Sequence, residues 1–172
     1  MDEVEKSEDY SNRDFVLEQV KKDGKLLDLA SEELKDDREI VFEAVRNNAE
    51  ALEFASDRLK KDREIVYESV SKIGWTYCYA GENLLNDKEL LMAGLKKSGQ
   101  ILYFASKEMR DDKEVILTAI EAKPIIMKYA SKRLRSDKDV GVAVMKKNKK
   151  CFSFLEPNLQ QDEDILAIKN EE

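Results

Sequence analysis

Histidine is absent from all 172 residues. The commonest general base and a principal metal ligand are therefore missing. Cysteine is nearly absent too, with Cys78 and Cys151 the only two. Two thiols at no metal-type spacing do not make a structural zinc site, and without a secretory leader they point to free side chains in a reducing compartment. Proline occurs twice, at Pro124 and Pro157, and the six glycines form no phosphate-cradling loop. No run approaches the ~18 apolar residues of a membrane span, and the first residues are acidic where a signal peptide would be basic. The expectation is a soluble, cytoplasmic chain with no transmembrane segment, metal or cofactor.

Charge is what the chain has in excess. Asp, Glu, Lys and Arg make up 39% of residues, against about a quarter in ordinary globular domains. A chain built from thin layers with much surface per residue would have this composition. The leader MDEVEKSEDYS is acidic and almost without aliphatic residues, and it reads as a disordered tail over residues 1–11.

From Asn12 onward the sequence repeats with a period of 25 residues, the signature of a repeat architecture. Asp37 is followed at the same offset by Asp62, Asp87, Asp112, Asp137 and Asp162, with Asn12 upstream. Ala30, Ala55, Ala80, Ala105 and Ala130 form a second column, broken at Leu155. Leu34, Leu59, Leu84, Met109, Leu134 and Leu159 form a third. A fourth is aromatic after its first member: Leu29, Phe54, Tyr79, Phe104, Tyr129 and Phe154. Six units follow, residues 12–36, 37–61, 62–86, 87–111, 112–136 and 137–161, then a capping half-unit at 162–172.

Each unit reads as a pair of short helices. Asp37 is a good N-cap, and Ile40, Val41, Ala44 and Val45 lie on one helical face. Gly24, Gly74 and Gly99 stand where the first helix would end in a left-handed residue. Pro124 shares their column and suits the first position of the second helix. That second helix would turn Leu52, Phe54, Ala55 and Leu59 inward, which puts the aromatic column in the core. The alanine column would let neighbouring helices approach closely, so Ala80→Leu should overpack the joint by ~1–3 kcal/mol. Two helices of about 11 residues are each only ~16 Å long and marginal alone. Stacking on neighbouring copies has to supply the stability.

Charge is uneven along the chain. Residues 1–86 hold 13 Lys or Arg against 22 Asp or Glu, whereas 123–150 holds 10 basic residues and only Asp137 and Asp139. Lys132, Arg133, Arg135, Lys146, Lys147, Lys149 and Lys150 form a candidate basic patch for nucleic acid or an anionic membrane surface. The competing reading is that Lys and Arg favour exposed helix ends, and a lysine cluster alone points only weakly to nucleic acid.

Two columns vary while the framework holds. One reads Lys25, Glu50, Trp75, Gln100, Ile125, Lys150; three residues on, the other reads Asp28, Glu53, Cys78, Tyr103, Lys128, Ser153. Positions three apart share a helical face, and a varied face on a fixed frame is what a solenoid offers a partner. Trp75, Tyr103 and Ile125 would form its apolar centre, with Lys128 and Glu53 at the rim. The alternative is that these columns vary because nothing constrains them. No nucleophile–base pair emerges from the residues that depart from the pattern, so no enzyme is expected.

The string D-(R/K)-E-(I/V)-V-x-x-A-V, then A-L-x-(F/Y)-A-S-x-x-L, resembles a repeat family known as domain of unknown function 4116. Here it is carried by DREIVFEAV with EALEFASDRL, DREIVYESV with GWTYCYAGENL, and DKEVILTAI with IIMKYASKRL. The resemblance implies tandem short helices and carries no functional residue over. Gly141 and Leu155 depart from it, replacing an aliphatic residue and the alanine. Together these readings predict an all-α fold, an α-solenoid-like right-handed stack of 25-residue helix-pair repeats. The expected role is a non-enzymatic protein–protein interaction scaffold within a larger assembly, binding of nucleic acid or anionic lipid through 123–150 being the alternative.

Overall fold

A computed structural model of the chain describes residues 9–171, so most of the acidic leader lies outside the described residues. Asp9 to Ser11, grouped with that leader by composition, form a turn in which the Asn12 amide donates to the Asp9 carbonyl at 3.0 Å. Every regular element among the described residues is helical. The chain divides into two compact units, one ending at Leu84 and the other beginning at Leu85.

The longer α-helices begin where the capping column stands. In the first unit they are Arg13–Lys22, Arg38–Asn47 and Arg63–Lys72; in the second, Lys88–Leu95, Lys113–Ala122, Lys138–Lys147 and Glu163–Asn170. Asp37 Oδ1 accepts from the amides of Glu39 and Ile40 at 3.0 and 3.2 Å, and Asp62, Asp112 and Asp162 do the same for the helices they cap. These bonds satisfy amides that have no partner inside the helix. Ile40, Val41, Ala44 and Val45 are wholly buried, as are Val115, Ile116, Ala119 and Ile120.

The second helix of the expected pair is not one helix. It is split into a 3₁₀ segment of six residues, such as Ala49–Phe54 or Pro124–Tyr129, and a short turn of helix such as Glu32–Lys35 or Lys132–Arg135. The alanine column marks the break: Ala55 is extended, with φ −63° and ψ 152°. The break has a use. It frees the next amide to bond across repeats, Ser56 donating to the Lys35 carbonyl and Gly81 to that of Lys60 at 3.0 and 2.8 Å. In the second unit Ser131 and Glu156 donate likewise to Arg110 and Arg135 at 3.0 Å each. Ser31, Ser56, Ser106 and Ser131 then cap the short turn, as where Ser131 Oγ accepts from the Leu134 amide at 3.2 Å.

Two further expectations are corrected by this geometry. The glycines are not left-handed, since no described glycine has positive φ. Gly24 instead opens a 3₁₀ segment, where a Cβ would stand 2.2 Å from the Ala44 carbonyl oxygen. The aromatic column is not core. At three residues per turn, Phe54 falls on the flank below Ala51, while Leu52 stays aligned with buried Ala49 and Ala55. Phe54, Tyr79, Tyr129 and Phe154 are half-buried and Phe104 is exposed. Pro124 does begin its helical segment.

Cations tie consecutive repeats together within each unit. Arg13 bonds Asp37 and Glu39 at 2.8 and 2.6 Å, and Arg38 bonds Asp62 and Glu64 at 2.8 and 2.5 Å. In the second unit Lys88 reaches Asp112 and Glu114, Lys113 reaches Asp137 and Asp139, and Lys138 reaches Asp162 and Asp164. The first unit also buries Ser69 and Thr76, whose hydroxyls lie 2.7 Å apart and are satisfied by the Ala49 and Ile73 carbonyls.

Gly141 and Leu155 are one exchange rather than two defects. A Cβ on Gly141 would lie 3.8 Å from Leu155 Cδ2, 2.8 Å from Leu159 Cδ1 and 3.3 Å from Ile165 Cδ1. The same offset relates Val41 to Ala55 and Ile116 to Ala130. The leucine therefore fills from one side the volume that valine fills from the other. This opposed pairing is also why the column is alanine elsewhere. Ala30, Ala55, Ala105 and Ala130 are buried, while Ala80 is only half-buried.

Candidate functional site

The 3₁₀ segments decide what each unit shows to solvent. Their residues i and i+3 eclipse, so one row is buried, one is a flank and one is free. In Ala49–Phe54 the free row is Glu50 and Glu53; in Pro124–Tyr129 it is Ile125 and Lys128. Among the described residues the large apolar side chains left exposed are Leu29 (54%), Trp75 (40%), Tyr103 (59%), Phe104 (44%) and Ile125 (41%), and all five lie on 3₁₀ segments. Clustered exposure of this kind marks an interaction surface more often than scattered single residues do.

In the first unit Trp75 packs edge-on against Tyr79, ring centroids 5.5 Å apart. Burial, and then a hydrogen bond to the Glu53 carboxylate, push the Tyr79 phenol up to about 12. Trp75, Tyr79 and Glu53 thus form one small cluster. Cys78 beside them is no activated nucleophile: burial first, then the Glu53 charge, raise its thiol pKa. Cys151 is buried, and burial raises its thiol as well.

In the second unit Tyr103, Ile125 and Lys128 come together around a shallow depression of about 270 Å³, joined by Phe104, Tyr129 and Lys123. Tyr103 meets Tyr129 and Phe104 edge-to-face, centroids 5.3 and 5.2 Å apart, and Lys128 Nζ stands 4.8 Å over the Tyr129 ring. A second depression of about 380 Å³ shares Lys128 and Tyr129 and adds Lys107, Arg110 and Arg135. A third, about 250 Å³, also shares Lys128 and Arg135 and is lined further by Ser153, Phe154 and Glu156. Lys107, Arg110, Phe104 and Tyr129 were missed by reading along the chain. The available signal was in the columns: the positions of Lys107 and Lys132 hold Glu32, Asp57 and Glu82 in earlier repeats.

The candidate basic patch is largely spoken for by structure. Arg133 Nε bonds the Asp111 carboxylate at 3.0 Å, Arg135 bonds Glu156 at 2.8 Å and Lys147 bonds Glu121 at 2.6 Å. Lys149 donates to the Glu171 carbonyl. Lys132, Lys146 and Lys150 make no ion pair among the described residues, and Arg135 lines two of the three depressions described above.

Among the described residues, no helix is long and apolar enough to cross a membrane. The fold and these surfaces define a protein of tandem all-helical repeats. The chain belongs to the family described as Domain of unknown function (DUF4116), whose model matches residues 12–60, 62–110 and 112–166. Each match begins at a capping residue, Asn12, Asp62 or Asp112, and skips one cap before the next begins. No curated protein and no solved structure matches the chain.

Proposed function

We propose that this chain is a non-enzymatic interaction scaffold of the cytoplasm, a right-handed α-solenoid-like stack of 25-residue units that binds another protein through its 3₁₀ segments. The observation that carries the reading is the confinement of Leu29, Trp75, Tyr103, Phe104 and Ile125 to those segments. Inter-repeat bonds that recur at a constant offset within each compact unit support the stacked arrangement. Two free cysteines accord with a reducing compartment.

The test is partner capture by crosslinking from the native cell, with wild-type chain beside Trp75→Ala and Tyr103→Ala/Ile125→Ala. Loss of a specific partner by either variant, with unchanged circular dichroism, supports the scaffold reading. Retention of every partner by both variants refutes it. Binding through the basic region 123–150 would instead fail in Lys132→Glu/Lys146→Glu and fall steeply with salt.

A further inference from the structure

We infer that the 3₁₀ face of the second unit is a docking site for an extended acidic peptide segment carrying an apolar side chain. The inference deepens the scaffold reading and rests on it. Three adjoining depressions share Lys128, Tyr129 and Arg135 between them. Their lining cations are Lys107, Arg110, Lys123, Lys128 and Arg135, and the one lining carboxylate, Glu156, is held by Arg135 at 2.8 Å. Lys107, Arg110, Lys123 and Lys128 make no ion pair among the described residues. Such a surface attracts negative charge and repels a basic partner. Beside these cations Tyr103, Phe104 and Ile125 leave an apolar floor open, so the surface asks for both an acid and a hydrophobic anchor.

Two of these columns carry the opposite sign in the first unit, while Lys35 and Lys60 keep the sign of Arg110 and Arg135. Asp28 and Glu53 stand where Lys128 stands, and Glu32, Asp57 and Glu82 stand where Lys107 and Lys132 do. The charges at the Lys107 and Lys128 positions therefore favour an acidic ligand on the second unit over the first. Ring geometry separates a peptide from a single-stranded nucleic acid. Successive bases need parallel, uncovered ring faces. Here Tyr103 lies at 69° to Tyr129 and 84° to Phe104, and Lys128 covers one face of Tyr129. An extended peptide has no such requirement; its same-side residues recur every ~7 Å and can place carboxylates and one apolar anchor alternately.

Fluorescence anisotropy on the full chain tests this with four labelled probes. They are a short glutamate-rich peptide with one central tryptophan, the same peptide with glycine for tryptophan, the same with lysine for glutamate, and an oligouridylate of equal length. The tryptophan–glutamate peptide should saturate the protein, and losing its tryptophan should weaken binding about tenfold, the scale of one interface anchor. Lys107→Glu/Lys128→Glu should weaken it at least as much, and Ile125→Ser should remove the tryptophan's advantage while leaving the salt dependence. Trp75→Ala, in the first unit, should change nothing. The inference is overturned if the acidic peptide fails to bind at millimolar concentration, if the oligouridylate binds more tightly, or if Lys107→Glu/Lys128→Glu retains wild-type affinity. Failure of the peptides while Tyr103→Ala/Ile125→Ala still loses the cellular partner removes the acidic-peptide assignment and leaves the scaffold reading standing.

Discussion

Replacing Leu155 by alanine should cost far more alone than it costs together with Gly141→Val. Leu155 is buried at 3% exposure, and truncating such a leucine typically costs about 2–5 kcal/mol, the spread reflecting how far the site collapses. Collapse is limited here, because the facing residue is a glycine that has nothing to move inward. Gly141→Val alone errs the other way. Its Cβ would stand 2.8 Å from Leu159 Cδ1 with Leu155 still in place, an overpacking of about 1–3 kcal/mol. A gain of roughly 1 kcal/mol from removing glycine from a helix interior offsets part of that. The double variant restores the pairing of Val41 with Ala55, three side-chain carbons opposite one in place of none opposite four. Leu159 Cδ1 can then turn into the space that Leu155 vacates. A volume-conserving exchange of this sort should fall within ~1.5 kcal/mol of wild type. Urea denaturation by far-UV circular dichroism across the four proteins gives the coupling, provided the slope stays constant. We expect favourable coupling of about 2 kcal/mol or more; singles that add to the double within ~0.5 kcal/mol would refute the exchange.

The same opposition predicts that Ala130→Leu, against Ile116, costs about 1–3 kcal/mol, while Ala80→Leu at a half-buried site costs less; equal midpoints in urea would refute the ranking. Stability should be flat near neutrality and fall in acid. At Asp37, Asp62, Asp112 and Asp137 burial raises the carboxyl pKa, but the cation of the preceding repeat and the capped amides outweigh it and hold the net value low. A depressed folded value contributes stability that is present above the unfolded pKa of about 4 and lost as pH falls through the folded one. Melting curves from neutral pH downward check this, and Asp112→Asn/Asp137→Asn should flatten the acid limb. The Tyr79 phenol should ionise near pH 12 in an ultraviolet titration, and Glu53→Gln should lower that value part of the way, because burial remains while the Glu53 charge is gone.

The α-helices were legible because each carries several independent signals. Asp37 caps, Ile40, Val41, Ala44 and Val45 keep one face apolar, and ten residues are enough for a 3.6-residue period to declare itself. The 3₁₀ segments were not. Over the six residues of Ala49–Phe54, buried positions 49, 51 and 52 fit either three or 3.6 residues per turn. That ambiguity sent Phe54 and its column inward when they belong on the flank. The serine after Ala30, Ala55, Ala105 and Ala130 was the missed clue. Ser56 and Ser131 are N-caps, and a cap in the middle of an assumed helix signals that a new one starts there. On the candidate surface, Ile125 and Lys128 were legible as sharing a row because positions three apart align in both helix types. Lys107 and Arg110 lie on the next short helix, and only the split places them beside Lys128.

Stability and recognition occupy different rows of the same segment. In the 3₁₀ stretches the buried row is held by the core, and just past the extended break Ser56, Gly81, Ser131 and Glu156 each donate a backbone bond to the preceding repeat. The free row touches neither. Its identity can run from Glu53 through Cys78 and Tyr103 to Lys128 without disturbing a framework contact, which is why its charge can reverse between the two units. The cation–aspartate ties show the opposite constraint. Arg13, Arg38, Lys88, Lys113 and Lys138 each face a capping aspartate, whereas the equivalent Asn12 and Glu163 make no such pair among the described residues. Asn12 still caps, accepting from the Phe15 amide at 3.0 Å. Capping alone therefore does not require the charge. Aspartate stands in the column where a cation from the neighbouring repeat must be met, and that coupling fixes the frame on which the free row is at liberty to vary.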